Sequence, residues 1–241
     1  MQRPQKFFTF NVMAEADMAC FTAQEFKTDR FSYPVPTPGA LEGMLKQIFW
    51  KPPIEYRVRK IAVCRKPKYR NIKRNEVKEK AKYGNITTGI STHDTRTQRN
   101  TCYLMNPKYI IKVDVILHPN RVQRDEENGV RLPVKYREII KRRFQNQNEF
   151  RVPFLGCQEC IANVEWVDDF DKAVEENMEK EMKTSGEIDY GFMRSRMKFR
   201  NGGRPVNDDW VNPVWDETAD TSFYHAVMNN GIINVEEESY A

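Results

Sequence analysis

Apolar and polar residues alternate from Lys6 to Val12, which puts Phe8, Phe10 and Val12 on one side and predicts a first strand. The period then changes. Ala40, Leu41, Met44, Leu45, Ile48 and Phe49 recur at helical spacing and predict a helix over 38–50. Pro34, Pro36 and Pro38 keep its approach extended, Thr37 stands at the N-cap with Pro38 at the first helical position, and Pro52-Pro53 stops it. Alternation resumes with Ile54, Tyr56 and Val58 and runs to Cys64 as strand two. Tyr103–Met105 and Tyr109–Leu117 read as strand three, interrupted at Pro107.

A second helix begins near Pro133, with Tyr136, Ile139, Ile140 and Phe144 on its apolar side. Phe154-Leu155-Gly156 leads into a fourth strand near Ile161–Val167. The order β-α-β-β-α-β is the split βαβ pattern, so residues 1–167 are expected to form an α+β, ferredoxin-like domain. Residues 65–100 carry little apolar content and read as a projecting basic hairpin or loop inserted in it. Glu127-Asn128-Gly129 and Gly202-Gly203 read as turns. Beyond Val167 an acidic stretch, 168–187, suits a short surface helix or a disordered linker. Asp189–Arg200 then reads as a strand, and Asn230-Gly231 between apolar runs signals a hairpin. Residues 168–241 are therefore expected to form a small antiparallel β lobe packed on the first domain.

Charge changes the picture more than composition does. The chain has 241 residues and a net charge of +5, small enough to hide a strong polarity. Arg57 to Lys82 holds twelve basic residues against two acidic, whereas Glu165 to Ala241 holds eight basic against eighteen acidic. A cationic half next to an acidic one points to a polyanion partner for the first. Tyr69 and Tyr83, set among the charges, offer faces on which unpaired bases can stack. Lys135, Arg137, Lys141, Arg142 and Arg143 form a second basic stripe on another element. Neither stripe has the broad apolar face of a membrane-surface helix, and no apolar run reaches eighteen residues, so no membrane partner is expected. The opening MQRPQKFFTFNV reads as a strand and not as a signal peptide, which makes the cytoplasm the expected compartment.

Five cysteines, at 20, 64, 102, 157 and 160, do not suggest a disulfide framework. Cys157-Gln-Glu-Cys160 has C-x-x-C spacing, but no second pair matches it, so neither a zinc site nor any other cofactor is expected.

The stretch FSYPVPTPGALEGMLKQIFWKPP (31–53) resembles the CRISPR-associated repeat-processing proteins of subtype I-C, the Dvulg variant of Cas family five. Similar matches run through ACFTAQEFKTDRFSYPVPTP (19–38), IKRNEVKEK (72–80), TQRNTCYL (97–104), KYREIIKRRF (135–144), PFLGCQEC (153–160) and FYHAVMNNGIINV (223–235). The resemblance implies an RNA-binding domain of the RAMP type that cuts the CRISPR repeat RNA hairpin without metal and then holds its 5′ handle. It also implies the backbone and large subunits of a surveillance complex as partners. Duplex DNA is a further partner open to the basic tract once the complex is assembled.

Cleavage of this kind needs a base for the 2′-hydroxyl, a cation for the charged phosphorane and an acid for the leaving oxygen. The family has a tyrosine where this chain has Phe49, and a Lys-His pair where it has Lys135-Tyr136. Lys135 and Tyr136 are the candidate catalytic residues; Arg65, Lys68, Tyr69, Arg70, Lys73, Arg74 and Arg137 are the candidate RNA contacts. Tyr136 starts from a pKa of about 10, against about 6.5 for histidine, which is a handicap for a base. Three readings stay open: Tyr136 does reduced base work, His93, Tyr33 or Tyr103 enters from elsewhere, or the protein binds repeat RNA as a non-catalytic assembly subunit. Tyr136 also lies on the helix's apolar side, where core packing alone would explain it.

Overall fold

A computed structural model of the chain describes residues 5–26, 28–78, 89–117, 132–146, 148–199 and 219–235. Tyr83, His118 and the two expected turns at 127–129 and 202–203 lie outside these residues. The protein is mixed α+β with almost entirely antiparallel sheets. In chain order its elements are β1 (Gln5–Ala16), β2 (Met18–Ala19), β3 (Arg30–Phe31), α1 (Pro38–Ile48), β4 (Ile54–Val63), β5 (Tyr69–Val77), α2 (Thr92–Thr95), β6 (Arg96–Met105) and β7 (Lys108–Leu117). They continue with α3 (Leu132–Gln145), β8 (Ala162–Val167), α4 (Phe170–Asn177), α5 (Lys180–Lys183), β9 (Glu187–Phe199), β10 (Ala219–Asn229) and β11 (Ile232–Asn234).

Seven strands form one sheet in the order β8-β1-β7-β4-β11-β10-β9. Strand β7 is buried on both faces, since the adjacent Ile110 and Ile111 are both inaccessible, and α4 packs against it. Helix α1 starts where Thr37 accepts the Ala40 N–H, and it buries Leu41, Met44, Leu45 and Ile48. Its far end is pinned by the buried Tyr56 of β4, whose hydroxyl donates to the Phe49 carbonyl at 2.7 Å. Near its start Gly39 lets β9 approach, because a Cβ there would sit 2.5 Å from the Ser195 carbonyl oxygen. Helix α3 turns Tyr136, Ile140 and Phe144 inward. Phe144, Phe10 and Trp166 form an aromatic group with Phe10 stacked on Trp166 at 5.3 Å, and such pairs add about 1 kcal/mol beyond burial.

Two expectations change. The segment read as one interrupted strand is two strands in different sheets: β6 pairs with β2, β3 and β5, whereas β7 joins the large sheet. Asn106, with φ of 48°, makes the turn between them, and Pro107 provides a carbonyl for the Ala16 N–H at 3.2 Å. The C-terminal strands also do more than pack on the first part. Ile232, Ile233 and Asn234 of β11 pair with Ala62, Ile61 and Lys60 of β4, which continues the main sheet. The expected hairpin is present: Asn230 and Gly231 take φ of 46° and 78°, the two left-handed positions of a tight turn.

Candidate RNA-processing site

The end of α1 and the start of α3 meet at one place. The Phe49 and Tyr136 rings lie 6.4 Å apart, and the Arg143 guanidinium sits over the Phe49 ring at 5.6 Å. Phe49 and Tyr136 are buried, at 5% and 6% exposure, while Lys135 and Arg137 beside them are exposed. This follows from helical geometry: the i, i+4, i+8 series Tyr136, Ile140, Phe144 faces the core, which turns Lys135 and Arg137 toward solvent. Arg143 is held in place by donating to the Asn148 carbonyl at 3.0 Å. The segment after it is stitched to α1, with the Phe150 and Arg151 N–H groups donating to the Ile48 and Gln47 carbonyls at 3.2 and 2.9 Å. Trp50, the next residue along from Phe49, is half exposed. The arrangement sets one cation, Arg143, over the Phe49 ring and two exposed cations on either side of Tyr136, whose phenol is the hydroxyl nearest Lys135 in sequence.

The basic tract divides. Strand β5 pairs with β6 in register from Tyr69 opposite Leu104 to Val77 opposite Arg96, so side chains alternate between two faces. Arg70 and Arg74 fall on one, Tyr69 and Lys73 on the other. Arg74 donates to the Tyr103 hydroxyl at 2.7 Å and pairs with Glu159, which ties the hairpin to the turn at 154–161. Burial would raise the Glu159 carboxyl, but its own backbone N–H, Tyr103 and Arg74 hold it below its usual range. Arg65 pairs with Glu15 at 3.6 Å and donates to the Asn106 carbonyl. Among the described residues Lys68, Arg70 and Lys73 are exposed and have no ion pair.

Tyr69 belongs to an aromatic row. Its ring lies 5.4 Å from Phe31, which stacks on Phe26 at 5.1 Å, and all three rings are more than a third exposed. Burial pushes the Tyr69 phenol up to about 12, so it remains neutral and able to donate. The sequence does not mark Phe26 and Phe31 as part of this surface, since nothing in an isolated phenylalanine distinguishes exposed from core. Of the other candidate bases, His93 is exposed on α2 and pairs with Asp94, Tyr33 is buried, and the Tyr103 hydroxyl is committed to Arg74 and Glu159.

The sequence is 31% identical over 238 residues to the CRISPR pre-crRNA endoribonuclease Cas5d of Thermus thermophilus, covering 93% of this chain and 90% of that one. It is 28% identical over 230 residues to the protein of the same name from Mannheimia succiniciproducens, covering 91% of each. A crystal structure described as a CRISPR-associated protein superposes with a TM-score of 0.66 at 22% identity, covering 98% of this chain and 95% of that one, and so shares the fold. The family described as CRISPR-associated protein (Cas_Cas5), in its Cas5d form, matches residues 11–236. The chain therefore belongs to the CRISPR-associated Cas5 family, type I-C.

Proposed function

We propose that this protein is a pre-crRNA endoribonuclease, cutting the CRISPR repeat RNA and retaining its 5′ handle in a surveillance complex in the cytoplasm. Relatives of nearly full-length similarity are named for that activity. The single observation that carries the reading is the meeting of Phe49, at the cap of α1, with Tyr136 and Arg143 of α3, with Lys135 next to Tyr136 and exposed to solvent. The strand order β8-β1-β7-β4, with α1 between β1 and β4 and α3 between β7 and β8, supports a ferredoxin-like, RAMP-type unit over 1–167. Residues 168–241 extend it, and the β5–β6 hairpin is its basic insertion.

The reaction is metal-independent. The 2′-oxygen attacks the adjacent phosphate, the 5′-oxygen of the next nucleotide leaves, and the products carry a 2′,3′-cyclic phosphate and a 5′-hydroxyl. Lys135 neutralises the phosphorane, Tyr136, as the phenolate favoured by the cations around it, takes the 2′ proton, the departing 5′-oxygen takes a proton from water, and Arg137 holds a flanking phosphate. Lys68, Arg70 and Lys73 engage the repeat hairpin electrostatically, with Arg65 and Arg74 at their margins and Tyr69 as a stacking face. The complex's backbone and large subunits, and duplex DNA, are the further partners.

One observation favours a second reading, a guide-RNA-binding subunit without catalysis: Phe49 has no hydroxyl, and Tyr136 is buried. The purified protein incubated with its cognate repeat RNA in EDTA separates the two. Cleavage at one position with a cyclic phosphate end, lost in Lys135→Ala, is the expected result. RNA bound tightly and left intact overturns the catalytic reading.

A further inference from the structure

Three thiols gather where the C-x-x-C turn meets the segment after β2, and neither RNA binding nor cleavage uses them. Cys20 and Cys160 are 1% exposed, and Cys157 is partly open to solvent. The backbone holds them close. The Cys20 N–H donates to the Leu155 carbonyl at 3.1 Å, and the Leu155 N–H donates to the Cys160 carbonyl at 2.9 Å. Gly156, at φ of 86°, lies so tightly on Cys20 that a Cβ would collide with the Cys20 carbonyl. The Thr22 hydroxyl is within reach of two of the sulfurs, 3.8 Å from Cys20 Sγ and 3.9 Å from Cys157 Sγ. On the other side of Cys157 the Arg30 guanidinium approaches to 3.9 Å.

We infer that Cys157 and Cys20 are a peroxide-oxidisable pair, in which the more accessible Cys157 sulfur reacts first and the buried Cys20 thiol resolves it to a disulfide. The roles follow from the surroundings. Hydrogen bonding from Cys20 draws the Cys157 thiol below its ordinary range, against burial and the Glu159 charge, with Thr22 and Arg30 acting in the same downward direction. Cys20 shifts the other way, because it shares its proton with Cys157 and is buried. Cys160 is also pushed up, by burial and by its two anionic neighbours Cys157 and Glu159. Only Cys157 combines thiolate character with access.

In the reaction the Cys157 thiolate attacks the peroxide O–O bond, giving a Cys157 sulfenic acid and releasing water or an alcohol once the leaving oxygen is protonated. The Cys20 sulfur then displaces the hydroxyl from the Cys157 sulfur, forming the S–S bond and releasing a second water. Two electrons pass from the thiols to the peroxide. Closure welds the 154–161 turn, which carries Glu159 and through it Arg74 and the β5–β6 hairpin, to the segment at 20–23.

The test is peptide mapping of the purified full chain after hydrogen peroxide at neutral pH, with free thiols blocked by iodoacetamide. The expected result is a Cys20–Cys157 cross-link reversed by dithiothreitol, with Cys157 consumed at least about tenfold faster than Cys64 or Cys102. In Cys20→Ser the Cys157 sulfenic acid should accumulate and react with dimedone. The wild-type map stands by itself if that variant does not fold. Equal consumption of all five cysteines, no cross-link, or a cross-link joining Cys157 to Cys160 overturns the assignment. None of these readouts involves RNA, so failure here leaves the proposed cleavage activity untouched, and the reverse holds.

Discussion

The Phe49 ring lies 6.4 Å from the Tyr136 ring, joining the C-cap of α1 to the N-terminal half of α3 across 87 residues of chain. The contact is apolar on one side and ends in exposed cations on the other. In the proposed function substrate meets this site through Lys135, next along the helix from the buried Tyr136.

Restoring the family's chemistry should raise the rate. Phe49→Tyr adds a hydroxyl beside Arg143, and Tyr136→His substitutes a group with a pKa near 6.5. Either should speed single-turnover cleavage of repeat RNA, and proper acid–base groups are worth about a hundredfold or more. Tyr136→His should also bring a pH dependence with a midpoint near the imidazole's. Lys135→Ala should lower the rate by about a hundredfold with little change in RNA affinity. A Phe49→Tyr, Tyr136→His double variant no faster than wild type would place the chemistry elsewhere.

The split of the basic hairpin into two faces separates cations that look equivalent in the sequence. Lys68→Ala and Lys73→Ala should each lower repeat-RNA affinity and reduce the slope of log K against log salt by about 1. Arg74→Ala removes a partner of Glu159 and Tyr103, so it should lower the melting temperature as well. Filter binding across a salt series, with thermal melts of each variant, distinguishes the two behaviours.

Asp114, on β7, is a buried anchor. It accepts from Thr9 at 2.6 Å and pairs with Arg59 at 2.7 Å and Lys6 at 2.9 Å. Burial would raise its carboxyl, but the hydrogen bonds from Thr9, Lys6 and Arg59 hold it below the ordinary value. Its folded pKa is thus below the unfolded value of about 3.9, so its contribution is complete above that pH and is lost as pH falls through the folded value. Asp114→Asn should cost about 2–3 kcal/mol, at the low end for a buried pair because Lys6 is exposed. Urea melts at pH 7 and pH 3 test both statements: wild type and variant should differ at the first and converge toward the second.

Gly156→Ala should destabilise by about 1–3 kcal/mol, since it combines a left-handed φ with a collision at the Cys20 carbonyl. Gly186, at φ of 69° with open space around it, isolates the conformational part: its alanine variant should lose about 1 kcal/mol. Thermal melts that rank Gly156→Ala no lower than Gly186→Ala would contradict the close packing.

Periodicity carried the fold a long way because each main element buries one clean face. The capped helix at 38, the inward residues of α3 and the Asn230-Gly231 turn were legible since local chemistry sets each of them. Strand β6 was not. Its first half, Arg96 to Asn100, is entirely polar and is held by pairing with β5, a non-local term that no window of sequence contains. The attachment of β11 to β4 is hidden for the same reason. At the site, the motif positions 49, 135 and 136 were legible in the sequence, but the meeting of 49 and 136 was not. The sequence also could not show that Arg74 is occupied, because its partner Glu159 lies 85 residues away.

Strand β11, only three residues long, is what joins β10 and β9 to the β4 edge. During synthesis that edge waits, with Lys60 to Ala62 able to pair with β7 on one side but open on the other, until residue 234 has left the ribosome. A nascent chain therefore carries an open strand rich in β-branched and apolar residues for most of its translation. Truncation just before Ile232 would leave the defect permanent, turning a late, small piece of the polypeptide into the guard against edge-to-edge association.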